Sequence, residues 1–115
     1  MGDYRKLRVW QHAHDLAARI DLESRRMKRG HGELGDQLRR AALSIPTNLA
    51  EGASKGRDGE FLRFVNIAAG SAAEVDSLLE HARLVGALSA RVIKELLEAL
   101  AVIRKMLFKL RAALQ

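Results

Sequence analysis

The sequence contains no cysteine, a single proline, and only five aromatic residues among 115: one Trp, one Tyr and three Phe. Without cysteine, disulfide scaffolds, thiolate-bound zinc and thiol nucleophiles are excluded. Scarce proline and aromatics, with Ala, Leu and Arg abundant, favour helix over sheet, because those side chains lose little freedom on a helix. No apolar run reaches the roughly 18 residues needed to span a bilayer. The polar opening Met1–Arg8 leads straight into an amphipathic stretch, unlike a secretory leader, so an intracellular, cytoplasmic and soluble protein is expected. With 48% hydrophobic and 30% charged residues, the composition fits a folded domain, and the length suits one, residues 1–115.

What is present is helical periodicity in four segments. Val9, Ala13, Leu16, Ala17, Ile20 and Met27 share one side of a helix predicted over 9–27, ended by Gly30 and Gly32. Leu34, Leu38, Ala41, Ala42, Ile45 and Leu49 predict a second helix over 33–53. Pro46 lies inside it and removes the hydrogen bond to the Ala42 carbonyl; because the apolar phase continues to Leu49, a kink is expected and not a break. Gly52, Gly56 and Gly59 mark the next connection. A third helix over 59–85, with Asp58 as N-cap, carries the heptad seam Phe61, Val65, Ala68, Ala72, Val75, Leu79 and Ala82. Gly70 within it suggests close helix approach, since Ala there would favour the helix by about 0.8–1 kcal/mol. Ser89 can cap a fourth helix over 90–114, with its own seam Ile93, Leu96, Leu100, Ile103, Leu107, Leu110 and Leu114. Val92, Leu97, Val102, Met106 and Phe108 widen that helix's apolar surface, so a neighbouring subunit is expected to cover part of it. Short connections make sequential helices antiparallel, giving an all-α, up-down-up-down four-helix bundle.

Chemistry is tested against spacing. Bundle di-iron sites need Glu-x-x-His on two helices, and no such motif occurs; His12 and His14 diverge on a helix. His31 reads as loop and His81 as surface, neither with a nucleophile and orienting partner in view. The glycines lack the spacing of phosphate-binding loops. No catalytic residue, cofactor or metal is therefore expected. Ser44, Asn48 and Glu51 lie on one polar face around Pro46; they form either a site or, the favoured reading, partners for carbonyls freed by the proline and polar contacts at an interface.

Twenty Lys and Arg against fourteen Asp and Glu give a formal charge of +6, which points to nucleic acid or another anionic partner. Arg25, Arg26, Lys28 and Arg29 cluster in sequence. Arg39, Arg40, Arg63, Arg104, Lys105, Lys109 and Arg111 are the candidate phosphate contacts, against the alternative of a solvated face with pairs such as Asp36–Arg40. Tyr4, Trp10, Phe61, Phe64 and Phe108 mostly read as core. Phosphate-dominated binding is thus expected over sequence-specific reading of unpaired bases.

Three stretches resemble a known family: Leu7-Arg8-Val9-Trp10-Gln11; the long run Gln37 to Gly52 containing Ser44-Ile45-Pro46-Thr47-Asn48-Leu49-Ala50-Glu51-Gly52; and Glu60-Phe61-Leu62-Arg63-Phe64 leading to Ile67-Ala68-Ala69-Gly70-Ser71. Together they resemble the bacterial four-helix-bundle proteins encoded in intervening sequences of 23S ribosomal RNA genes. The accessory variability determinants of diversity-generating retroelements are relatives of that family. The resemblance implies a ring-like homopentamer with a basic surface, and in the retroelement branch association with a reverse transcriptase and with nucleic acid. The chain departs from the pattern at Arg25–Gly32, where many relatives carry a Phe-Pro segment. The resemblance carries over no catalytic residue. Ser44, Pro46, Asn48, Glu51 and Gly70 match signature positions, read as architecture and assembly. RNA or other nucleic acid is the expected partner of a basic homo-oligomer, and a polypeptide such as a reverse transcriptase is the alternative.

Overall fold

A computed structural model describes residues 3–115, so the first two residues of the polar opening lie outside the described residues. A short 3-10 turn, Tyr4–Lys6, precedes four helices: α1 (Arg8–Arg25), α2 (Gly32–Ser54), α3 (Asp58–Leu84) and α4 (Ala90–Leu114). Each helix packs against its neighbours in the chain, and α1 meets α4 to close the ring; the backbones of the diagonal pairs stay apart, with side chains of all four helices sharing one core. This is the antiparallel four-helix bundle that the short connections predict, a rod of 45 × 19 × 19 Å.

The heptad seams form its centre. All seven predicted α3 positions, Phe61 to Ala82, are completely buried, as are Leu38, Ile45 and Leu49 of α2 facing them. On α4, Ile93 to Leu107 are buried, whereas Leu110 and Leu114 are only partly covered. Fully burying a side chain of this kind stabilises the fold by about 1.5–3 kcal/mol.

Local chemistry sets the helix ends. Ser89 Oγ accepts from Val92 N–H at 3.2 Å, the cap predicted for α4. Asp58 is not a cap. It is the first residue of α3, Arg57 stands at the cap position without a side-chain bond, and the carboxylate instead sits in the first turn, where the helix dipole favours it. The C-terminus of α3 closes with paired bonds, Gly86 N–H to Arg83 O and Ala87 N–H to Ala82 O, and this geometry requires the positive φ of 71° at Gly86. Helix α1 ends two residues before the predicted Met27. There Ser24 is buried and bonds the Asp21 carbonyl, while Arg26 N–H turns back to Glu23 O.

Helix α2 runs unbroken through Pro46. The polar trio beside it divides. Ser44 Oγ bonds Ser71 Oγ of α3 at 2.8 Å, and Asn48 Nδ2 donates to both Ser44 O and Ser44 Oγ, whereas Glu51 is exposed and its side chain makes no bond among the described residues. Ser44 and Asn48 therefore form a polar α2–α3 contact. Among the described residues, no side chain donates to the Ala42 carbonyl that the proline deprives of its donor.

Gly70 is not a close-approach residue, contrary to expectation: a Cβ there would meet nothing within 4 Å. The close approach belongs to Gly52, where a Cβ would lie 2.7 Å from Phe64 Cβ and 3.0 Å from Phe61 Cδ1. Position 52 continues the α2 apolar phase of Ile45 and Leu49, so glycine there lets α2 and α3 meet over two phenylalanines.

Candidate nucleic-acid interface

The up-down topology decides where the cations lie. Both chain-terminal segments and the α2–α3 turn share one end, while the α1–α2 and α3–α4 turns share the other. Dividing each helix at its midpoint places residues 3–16, 44–71 and 102–115 in the chain-terminal half. That half holds ten Lys and Arg against five Asp and Glu; the far half holds ten against nine. Nearly all the excess positive charge is therefore at one end of the rod.

The far half holds nearly as many carboxylates as cations, and five of its ten cations, Arg19, Arg25, Arg39, Arg83 and Arg91, form ion pairs. Arg19 of α1 bonds Glu95 of α4, holding that carboxyl below its ordinary range, and Glu95 also receives Arg91 at 3.1 Å. Asp21 is lowered in the same way by its hydrogen bonds from Arg25. Arg83 pairs with Glu80. The clustered Arg26, Lys28 and Arg29 make no ion pair among the described residues.

The seven candidate cations do not converge on one patch. Arg39 and Arg40 sit on α2 in the far half. Arg39 is half-buried at the α1–α2 seam, bonded to Ser24 Oγ at 2.8 Å and paired with Asp36. That claims the carboxylate expected to pair with Arg40, which is exposed and has no ion pair among the described residues. Arg63 pairs with Glu60 at 3.4 Å and lies over the Phe64 ring, 4.6 Å from its centroid. Arg104 reaches Asp76 of α3 at 3.1 Å. Lys105, Lys109 and Arg111 have no carboxylate partner among the described residues. Five of the seven, Arg63 through Arg111, thus belong to the basic half.

Two grooves flank α4 in that half. Between α3 and α4 lies a cavity of about 540 Å3 lined by Asn66, Ala69, Gly70, Arg104, Leu107, Phe108 and Arg111. Here the signature glycine and two candidate arginines come together. Ser44, Pro46, Asn48 and Glu51 are not part of it; Ser44 and Asn48 are partly buried, Ser44 against Ser71 of α3, Pro46 is buried and Glu51 exposed. On the other side, Leu7, Val9, Val102, Met106 and Leu110 line a cavity of about 440 Å3 between α1 and α4, with Arg8, His12 and Lys109 at its edge.

Phe108 departs from the core reading, with 70% of its surface exposed, and Val102 is 45% exposed. Phe61 and Phe64 are buried, and Tyr4 and Trp10 pack against the core from outside. Phe108 and Val102 both belong to the widened apolar surface of α4 that the sequence assigns to a subunit contact. The available signal was phase: both lie off the seam of Leu100, Ile103 and Leu107.

His31 and His81 line a shallow cavity with Glu33 near the far end, but no three potential metal ligands come close enough together among the described residues to hold an ion. No helix among them is long and apolar enough to cross a membrane.

A family model described as 23S rRNA-intervening sequence protein matches residues 5–109. A comparison with curated proteins finds no match.

Proposed function

The chain belongs to the 23S rRNA-intervening sequence protein family, and we propose that it is a non-catalytic, homo-oligomeric module that binds RNA mainly through phosphates. The family's name points to an RNA-related role. The observation that carries the finer reading is the one-ended charge, ten cations against five carboxylates in the chain-terminal half. Phosphates engaging those cations release condensed counterions, a driving force that needs no base contact. Lys105, Lys109 and Arg111 are available for it without breaking an internal ion pair. The groove beside them offers guanidinium, amide, aromatic and aliphatic groups, a set suited to holding an anion and lacking a nucleophile with its base. Oligomerisation would multiply the basic ends and raise avidity.

The test is fluorescence anisotropy of a labelled structured RNA across salt concentrations, with duplex DNA as competitor. Binding should weaken linearly on a log–log plot, with a slope of about −0.9 per phosphate engaged on a duplex. Absence of binding at low salt overturns the proposal.

A second reading, a scaffold for a polypeptide such as a reverse transcriptase, draws on Val102 and Phe108, large apolar side chains held in water on α4. It predicts retained partner binding when the basic half is neutralised.

A further inference from the structure

The α3–α4 groove carries more than charge. Arg104, Phe108 and Arg111 follow one another at i, i+4 and i+7, so α4 presents a cation, an aromatic ring and a second cation on one face, each a helical turn from the next. Phe108 is 70% exposed. Arg111 Nε is shielded from solvent and has no acceptor among the described residues, while the side chain is partly exposed in the groove and its guanidinium has no carboxylate partner among them. Across the groove on α3, Asn66 is exposed with no bond to its amide among the described residues, and Gly70 leaves the wall open where any side chain would intrude. A volume of about 540 Å3 lies within the usual range for small-ligand sites.

We propose that this groove holds one unpaired nucleotide of an RNA single strand, its base stacked on Phe108 and its flanking phosphates on Arg104 and Arg111. The inference rests on RNA binding by the chain-terminal half and names a ligand and a place for part of it. Stacking on an aromatic ring suits any base, because every base has a π-face, and the guanidinium forks match phosphate oxygens. The Asn66 amide, with two donors and one acceptor, can read a base edge and supplies a modest base preference. A duplex cannot use the site, since its bases are already stacked within the helix. An apolar protein side chain on Phe108 would bring no anion to the unpaired Arg111 guanidinium, which favours the nucleotide over a polypeptide here.

The experiment compares a single-stranded oligoribonucleotide with an RNA duplex of equal phosphate number, using the full chain, with wild type, Phe108→Ala, Phe108→Tyr and Arg111→Gln. Phe108→Ala is expected to weaken single-strand binding about tenfold, the loss typical of one stacked base, and to leave duplex affinity and the salt slope nearly unchanged. Phe108→Tyr should restore the wild-type value. Arg111→Gln should weaken single-strand binding and reduce its salt slope by about one phosphate. A 2-aminopurine in the strand should lose fluorescence on binding to wild type and not to Phe108→Ala. If both RNAs bind but Phe108→Ala changes neither, the nucleotide site is refuted while phosphate binding stands. If Phe108→Ala changes the oligomeric state by sedimentation, the ring belongs to a subunit contact and the inference falls. If wild type binds no RNA, the function proposed above fails and takes the inference with it.

Discussion

Gly52→Ala and Gly70→Ala add the same methyl group to helices of one bundle, and the structure requires opposite outcomes. At position 52 the new carbon would sit 2.7 Å from Phe64 Cβ and 3.0 Å from Phe61 Cδ1. The first contact falls about 0.7 Å short of ordinary van der Waals distance, and its partner is anchored to the backbone, so rotating a ring cannot relieve it. Helices α2 and α3 must move apart over a fully buried Phe61. Overpacking of that kind costs about 1–3 kcal/mol, against at most about 1 kcal/mol gained from the better helix propensity of alanine. A net loss of up to about 2 kcal/mol is expected. At position 70 the methyl meets nothing, and the propensity gain of about 0.8–1 kcal/mol stands alone. The propensity gain is common to both variants, so they should differ by the overpacking cost, about 1–3 kcal/mol, or about 0.5–2 M in urea midpoint at ordinary slopes. Urea unfolding followed by circular dichroism at fixed protomer concentration measures it directly. A Gly52→Ala protein as stable as Gly70→Ala would refute the close-approach reasoning.

Three further expectations follow from other parts of the bundle. Ser89→Ala removes the α4 cap and should cost about 1 kcal/mol in thermal or urea unfolding, whereas Asp58→Asn, which removes no cap bond, should change stability by less than about 0.5 kcal/mol. Glu95 has a folded pKa lowered chiefly by its hydrogen bond from Arg19, so its stabilising effect is full above the unfolded value of 4.5 and is lost as pH falls through the lower folded value. The stability gap between wild type and Glu95→Gln should accordingly hold constant from neutrality to about pH 5 and shrink below about pH 4; a gap unchanged down to pH 3 would contradict the assignment. Lys105→Glu with Lys109→Glu should weaken RNA binding far more than Arg26→Glu with Lys28→Glu, as read by anisotropy at one salt concentration, because the first pair lies in the half with uncompensated charge.

The heptad seams made the fold legible. Spacings of three and four from Phe61 to Ala82 identify a buried face without reference to any partner, and every one of those residues is buried. Periodicity gives phase and little else. It could not tell which glycine faces a neighbouring backbone, because Gly52, near a helix end among other glycines, resembles a turn residue, while Gly70 in mid-helix resembles a packing contact. It also could not place Phe108, since an apolar residue off the seam reads the same whether a neighbour covers it or water does. Arg39 and Arg40 were equal candidates in sequence, and only Ser24 on the adjoining helix separates the anchored arginine from the free one. The one-ended charge was within reach of sequence, because folding the four segments into hairpins on paper already sorts the cations by end. Net charge alone hides it.

Every interhelix surface but one joins helices adjacent in the chain. The exception is α1 with α4, which must close a loop of more than sixty residues. Closing the α2–α3 hairpin costs little chain entropy, and α3–α4 and α1–α2 can add to it in turn, so contact order is low and folding should be fast. The α1–α4 seam then zips last. Its ion pair, Arg19 with Glu95, sits in the far half, while toward the chain-terminal end the same seam parts into the cavity lined by Leu7, Val9, Val102, Met106 and Leu110. The bundle is latched at one end and ajar at the other. Amide hydrogen exchange should begin in the first turns of α1 and the last turns of α4, well before global unfolding, at the end of the rod where the positive charge lies.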